Sequence, residues 1–343
     1  MKFEVFANGG CKSYMIGCEY SSNAAIIDPE VRLLDKYQAE ASRNGLRIHY
    51  VIDTHTHADH FSGADELAEL LNVPVVMHRD SPAPFASLRL QDGDMLKVGD
   101  LRVQAMHTPG HTRDSLCLLV EDRIFTGDTL LIGGTGRTDL PTGDPNELYD
   151  SLFNGILKLD AALQVFPAHD YKQLGSTTLA AEIANNDRLQ KTDRAEFVDM
   201  MEHLNLSMPT HLTEALRTNM SGGKSVAQLL TAAAEKTPFI SLKELAARID
   251  QTGGDLIVLD VRERSEFEAA HIPGAMHIPR GQLELRVDDE LQDPTTRIVT
   301  VCEFGKISTL AAATLRELGY LRCGALDGGM RSWTEEGLPV TAD

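Results

Sequence analysis

Residues Thr54 to His60 read T-H-T-H-A-D-H, and this H-x-H-x-D-H spacing constrains the fold more than any other feature of the chain. The motif follows an apolar run, Tyr50-Val51-Ile52. On an extended chain residues two apart point to the same side, so His55 and His57 share one face at the end of a strand. Asp59 and His60 then fall at a turn into a helix, where Gly63 is followed by the helical spacing of Leu67, Leu70 and Leu71. A lone histidine is usually a solvated loop residue. Clustered imidazoles at a strand end have no packing purpose, and the stretch is read as a metal-binding strand end.

Three more segments end predicted strands with a side chain that a metal would accept. Thr108-Pro109-Gly110-His111-Thr112 places a tight Pro-Gly turn before His111, which aims the ring at a point. Thr126-Gly127-Asp128-Thr129 supplies a carboxylate, and Phe166-Pro167-Ala168-His169-Asp170 supplies a further imidazole. His107 reads as packing or exposed, while His49, His78, His203 and His211 lie outside any spacing pattern.

The chain has 343 residues with an apolar fraction of 42%, more than one core normally serves, so two domains are expected. Lys plus Arg number 32 against 51 Asp plus Glu, and the net charge of -19 argues against nucleic-acid backbones and anionic membranes as partners. Five cysteines, at 11, 18, 117, 302 and 323, form neither a disulfide ladder nor a C-x-x-C knuckle. A reducing cytoplasm is the expected setting. The opening M-K-F-E-V-F-A-N-G-G lacks a basic region with a long apolar core, and no apolar run reaches membrane-spanning length, so an unprocessed chain outside the membrane is expected.

Strands are predicted at 2–7, 13–18, 24–28, 73–77, 101–106, 115–120 and 123–125, with helices at 31–44, 146–159, 178–185 and 193–204. Ser207-Met208-Pro209-Thr210 and Ser221-Gly222-Gly223 have turn or linker composition, and the domain boundary is placed near Pro238, dividing 1–236 from 237–343. Beyond it a helix at 241–249, strands at 256–261 and 297–301 and a helix at 308–318 alternate as in a small parallel α/β domain.

The spacing of H-x-H-x-D-H, G-H-T, G-D-T and A-H-D resembles the metallo-β-lactamase superfamily, which implies an αββα sandwich over about the first 236 residues with the site at one edge of two sheets. Two local stretches, Gly134-Thr135-Gly136-Arg137-Thr138-Asp139 and P-A-H-D-Y-K with a later S-T-T-L-A-A-E, are similar to the persulfide dioxygenase branch. That branch usually has N-P-R-L where this chain has Asn185-Asn186-Asp187-Arg188-Leu189, a change of turn. The resemblance implies one Fe(II) per chain on His55, His111 and Asp128, a set of two imidazoles and one carboxylate that leaves adjacent positions open for a persulfide sulfur and dioxygen. His57, Asp59, His60 and His169 then orient ligands and line the pocket. A dinuclear zinc hydrolase on the same scaffold would recruit those four for a second metal, and every one of these residues is present, so a thioester hydrolase of the glyoxalase II kind stays open. Arg137 reads two ways: it clasps an anionic part of the substrate, such as a glutathione carboxylate, or it pairs with Asp139. Cys117 among leucines reads as a small buried residue, and Cys11 after Gly9-Gly10 is a candidate to line a cleft that no further sequence signal promotes.

Leu259-Asp260-Val261-Arg262, His271-Ile272-Pro273-Gly274-Ala275, Leu326-Asp327-Gly328-Gly329, Trp333 and Gly337-Leu338-Pro339-Val340 together resemble the rhodanese family across 239–341. The resemblance puts Cys302 in the place of the persulfide-forming nucleophile, with loop N–H groups around its sulfur. The usual loop is C-R-x-G-x-R, but here Glu303 and Ile307 replace the two arginines and Lys306 is the remaining cation, a substrate-binding candidate. Asp260, Arg262 and His271 are expected to hold the scaffold, and Cys323 to be incidental.

The resulting expectation is a fused persulfide dioxygenase and rhodanese. Glutathione persulfide and O2 would yield sulfite and thiol at the iron, and Cys302 would link thiosulfate or sulfite with the persulfide pool. A homo-oligomer is compatible with this reading. A docking or sensing role without turnover is the remaining alternative for the second domain.

Overall fold

The computed structural model describes residues 1–208, 212–251 and 256–342, with the side chains of 250 and 251 outside that description. His211 and the Pro209-Thr210 part of the expected linker therefore lie outside the described residues. The chain divides into two compact units, Met1–Gly223 and Lys224–Asp343.

In the first unit, β1 (Lys2–Asn8), β2 (Cys11–Gly17), β3 (Asn23–Ile27), β4 (Arg47–Ile52), β5 (Val75–His78) and β6 (Leu88–Leu90) form one sheet in sequential order. A second sheet runs β14-β13-β10-β9-β8-β7, built from β7 (Met95–Val98), β8 (Leu101–His107), β9 (Leu116–Val120), β10 (Arg123–Gly127), β13 (Gln164–Pro167) and β14 (Thr177–Thr178). Between β10 and β13 in sequence lies a two-strand ribbon, β11 (Leu130–Leu131) with β12 (Gly134–Thr135).

The strands are apolar on both faces, and their alternation sorts the side chains into layers. Tyr14, Ile16, Ile27, Ile52 and Val76 point to the second sheet, where they meet Val103, Leu116, Leu118, Phe125 and Phe166. Met15, Ile26, Val51, Val75 and Met77, their neighbours in sequence, point the other way. They pack under helices α1 (Leu34–Arg43) and α2 (Ala64–Leu71) through Tyr37, Ala41, Leu67 and Ala68. The outer face of the second sheet is covered by Leu148 of α3 (Pro145–Tyr149), Leu179 of α4 (Leu179–Asn185), and Phe197 and Met201 of α5 (Arg194–Glu202). This is the αββα sandwich expected from sequence. Each fully buried Ile or Phe contributes about 1.5–3 kcal/mol relative to exposure, so reversing one strand's alternation would cost several such terms.

Two helical stretches differ from the sequence reading. The single helix expected over 146–159 is broken: α3 passes into a π-helical turn at Asp150–Gly155 and a 3₁₀ turn at Ile156–Lys158. Between the two turn-rich stretches lies α6 (Leu212–Ser221), which packs Ala215 and Asn219 inward.

In the second unit five parallel strands run β15-β19-β18-β16-β17: β15 (Phe239–Ile240), β16 (Leu256–Asp260), β17 (Met276–His277), β18 (Arg297–Val301) and β19 (Cys323–Leu326). Alternation again separates two faces, with Leu259 and Ile298 on one and Val258 and Val299 on the other. The helices here are α7 (Val226–Lys236), α8 (Leu242–Gln251), α9 (Arg264–Ala269), α10 (Leu283–Glu290), α11 (Lys306–Glu317) and α12 (Gly329–Glu335). Helix α7 packs against α11 and so belongs to the second unit, which moves the division to 223/224 from the expected 236/237.

Candidate functional site

Strands β8, β10 and β13 run in one direction, because β9 is antiparallel to both its neighbours and β10 is parallel to β13. The loops that leave their ends therefore open at the same edge of the sandwich. His111 follows β8, Asp128 follows β10 and His169 follows β13, while His55 and His57 follow β4. Two glycines permit the close approach. A Cβ on Gly110, whose φ is +131°, would fall 2.2 Å from Leu148 N, and one on Gly136 would fall 2.0 Å from Asp128 O and 2.8 Å from the His111 ring.

One donor atom from each of His55, His111 and Asp128 lies within 4.8 Å of the others, and all three residues are buried. The ring centroids of His55 and His111 are 5.0 Å apart, and His111 Nε2 is 3.7 Å from Asp128 Oδ2. Outer partners fix which nitrogen faces inward. Thr54 Oγ1 donates its one proton to the buried Asp28 carboxylate at 2.9 Å and so accepts from His55 Nδ1 at 3.0 Å. His111 Nδ1 donates to Arg137 O at 2.7 Å. Each ring thereby turns Nε2 toward the centre, the nitrogen a metal would take.

A second group sits alongside. His169 bridges two carboxylates, with Nδ1 2.7 Å from Asp128 Oδ1 and Nε2 2.9 Å from Asp59 Oδ2. Asp59 Oδ1 is 3.1 Å from His60 Nδ1, and His57 Nε2 is 3.3 Å from Asp28 Oδ1. Asn219 of α6 donates to the backbone carbonyls of His57 and His60, each at 2.8 Å, and accepts from Ser62 N at 3.1 Å. It thus clamps the whole H-x-H-x-D-H loop.

The electrostatics suit a cation. Burial, and then the neighbouring His57, brings His55 down to about 3, and burial with His60 holds His57 well below the usual imidazole range. Burial works to raise Asp128, but the His169 imidazole outweighs it and keeps the carboxyl below its usual range. Neutral imidazoles beside a carboxylate are a ready donor set. Both ring nitrogens of His57 and Nε2 of His60 and His169 are buried without an aligned hydrogen-bond partner among the described residues. Uncompensated buried polar atoms in such number fit a metal centre better than a packed core. By contrast His78 and His107 stack face to face, 3.8 Å apart with 10° between planes. Lone pairs in parallel ring planes do not converge on one ion.

Beside the centre is a pocket of ≈ 540 Å³ lined by Cys11, Asp59, His111, Asp128, Arg137, Tyr171 and Arg188 among others. Arg137 is engaged there: Nε and Nη2 reach Asp139 at 2.6 and 2.7 Å and Nη1 donates to Ser207 O at 2.8 Å. A substrate carboxylate would have to compete with Asp139. Arg188 donates to Thr135 O at 2.7 Å through Nη1 and has no acidic partner among the described residues, and burial lowers its pKa. Burial works to raise the Cys11 thiol, but the adjacent His169 and then His60 imidazoles outweigh it and bring it to about 7. Sequence reasoning missed Asp28 and Asn219 as parts of this site and noted Arg188 only as part of a turn, while Cys11 does line the pocket.

In the second unit Cys302 ends β18 and is 2% exposed. Its Sγ accepts from Ser308 N at 3.2 Å and lies 3.3 Å from Ser308 Oγ. Gly305, with φ +83°, turns the chain into α11, which starts at Lys306, two residues before the expected start at Ser308. Arg262 pairs with Asp260 through Nη2 at 2.6 Å and with Glu303 through Nη1 at 3.4 Å. Cys323 is buried in the core.

The metallo-beta-lactamase superfamily matches residues 8–169 and the rhodanese-like domain matches residues 241–336. The mitochondrial persulfide dioxygenase ETHE1 of Homo sapiens is 36% identical over 214 residues, 62% of this chain and 84% of that protein. A hydroxyacylglutathione hydrolase of Francisella tularensis subsp. novicida is 32% identical over 53% of this chain and 72% of that protein. The crystal structure of ETHE1 from Myxococcus xanthus superposes with a TM-score of 0.64 at 37% identity, covering 65% of this chain and 100% of that one.

Proposed function

We propose that this chain, which belongs to the persulfide dioxygenase family of the metallo-β-lactamase superfamily and carries a C-terminal rhodanese-like domain, oxidises a low-molecular-weight persulfide such as glutathione persulfide with O2 and moves sulfane sulfur through Cys302. The balanced reaction is R–S–SH plus O2 plus H2O giving R–SH, sulfite and two protons. The observation that carries this reading is the convergence of His55, His111 and Asp128, two imidazoles and one carboxylate, on one point beside a pocket. Ferrous iron held by these three would supply the activation of dioxygen that no side chain provides.

The chain's own residues do the rest. Thr54 and the Arg137 carbonyl hold the two imidazoles in one tautomer, and His169 holds the Asp128 carboxylate in orientation. Arg188 is placed to take the anionic end of the persulfide carrier, because its guanidinium lines the pocket without an acidic partner among the described residues. An Arg188→Gln chain is expected to raise KM for glutathione persulfide about tenfold with kcat little changed, as the loss of one charge-assisted contact implies. Oxygen-uptake kinetics against persulfide concentration check this, and an unchanged KM would remove Arg188 from the substrate site.

The test of the whole reading is metal analysis of anaerobically purified protein together with oxygen uptake on glutathione persulfide. About one iron per chain with uptake and sulfite release is the expected result. A second reading, a dinuclear zinc thioester hydrolase, is favoured by the clustering of His57, Asp59 and His60, whose donor atoms lie within 4.8 Å of one another and could hold a second ion. Two zincs per chain, thioester hydrolysis and no oxygen uptake would put it first. The five cysteines are all unpaired, which supports a reducing compartment such as the cytoplasm, and no helix among the described residues is long and apolar enough to cross a membrane.

A further inference from the structure

We infer that the Cys302 loop takes its sulfur from a low-molecular-weight organic persulfide and discriminates against the thiosulfate dianion, with Glu303 and Ile307 setting the choice. This rests on the reading of Cys302 as the sulfur-transfer nucleophile.

The contact that holds the sulfur comes from the backbone. Ser308 N donates to Cys302 Sγ at 3.2 Å from the first turn of α11, so a thiolate at Sγ is stabilised without a side-chain cation. What differs is the mouth. Glu303 is 39% exposed at its side chain and lies 3.4 Å from Arg262 Nη1. That guanidinium is also held by Asp260, through Nε at 3.1 Å and Nη2 at 2.6 Å, and it donates to Ala270 O. One buried arginine therefore serves two carboxylates, leaving a net negative charge that Lys306 just offsets. Lys306 is exposed and has no ion-pair partner among the described residues. Arg331, the other nearby cation, sits 5.6 Å from the Phe304 ring and pairs with Glu335 at 3.1 Å.

A mouth of zero net charge gives no advantage to a dianion whose sulfonate oxygens each need donors. Phe304 and Ile307 are 59% and 50% exposed and offer none. They present apolar surface on which a carbon carrier can lie. A persulfide brings one charge on a slender end, which suits a cysteine that is only 2% exposed. In the transfer, the Cys302 thiolate attacks the outer sulfur of R–S–SH, the donor S–S bond breaks, and R–S⁻ leaves with its electron pair. Cys302–S–SH remains, with no net oxidation.

The experiment uses the full chain under anaerobic conditions, so that no donor is lost to oxygenation, and follows by mass spectrometry the gain of one sulfur on the Cys302 peptide. Glutathione persulfide is expected to load Cys302 at least about tenfold faster than thiosulfate at equal concentration. Ile307→Arg alone, at an exposed position, and together with Glu303→Arg, is expected to raise thiosulfate loading about tenfold or more and so to close the gap between the two donors. Equal or faster loading by thiosulfate in the unaltered chain, or no response in either variant, would overturn the specificity and leave the nucleophile standing. No sulfur gained from either donor would overturn the nucleophile itself, and the specificity with it.

Discussion

An Asp128→Asn chain is expected to emerge from anaerobic purification without iron and to lose oxygen uptake on glutathione persulfide by more than about a hundredfold, since removing even an outer partner of a metal ligand costs ten- to hundredfold. The substitution keeps the shape. The amide oxygen it introduces would still accept from His169 Nδ1, which stands 2.7 Å from Asp128 Oδ1, and the side chain would keep the volume that follows Gly127 at the end of β10. What it removes is the only anionic donor among His55, His111 and Asp128, and the charge that offsets a cation in a site where all three are buried. Thermal unfolding of the metal-free proteins separates this loss from misfolding, because the two should melt within a few degrees of one another. Retained iron with more than half the uptake would take Asp128 out of the ligand set and shift the carboxylate role to Asp59.

The ligand loops were legible because each motif histidine or aspartate directly follows an apolar run that has to be a strand. Tyr50-Val51-Ile52 before His55, Arg123 to Phe125 before Asp128, and Val165-Phe166 before His169 are such runs. Strand direction then gathers them at one edge. The residues that orient them were not legible, because their partnerships span the chain. Asp28 and Thr54 are 26 positions apart, and Asn219 reaches His57 across 162. Nothing local distinguishes Asn219 from any other polar residue in a stretch bounded by turn compositions, and the same compositions hid α6. Sequence leaves Arg137 between a substrate clasp and a partner for Asp139, and the structure shows the partner arrangement, with Ser207 O taking a further donor. Arg188 stands free of such a partner among the described residues because its acidic neighbour in sequence, Asp187, does not pair with it.

A Cys302→Ser chain is expected to lose sulfur transfer from glutathione persulfide to a low-molecular-weight acceptor thiol by more than about a thousandfold while keeping oxygen uptake within about twofold, because a serine hydroxyl cannot carry the sulfur. A serine hydroxyl fits the same space and can still accept from Ser308 N, so the loop and the start of α11 keep their hydrogen bonds. The two units have separate hydrophobic cores, so a change at the end of β18 does not unfold the first. Persulfide formed on the acceptor thiol is the quantity to measure, in parallel with an oxygen electrode. Persistent transfer would move the sulfur carrier to another thiol, and the lowered pKa of Cys11 beside His169 makes it the next to replace. If transfer and oxygen uptake fell together, the Cys302 persulfide would be supplying the oxygenase. If only transfer fell, the two sites draw on a common persulfide pool independently, which is the outcome expected of a donor that reaches both as a small diffusing molecule.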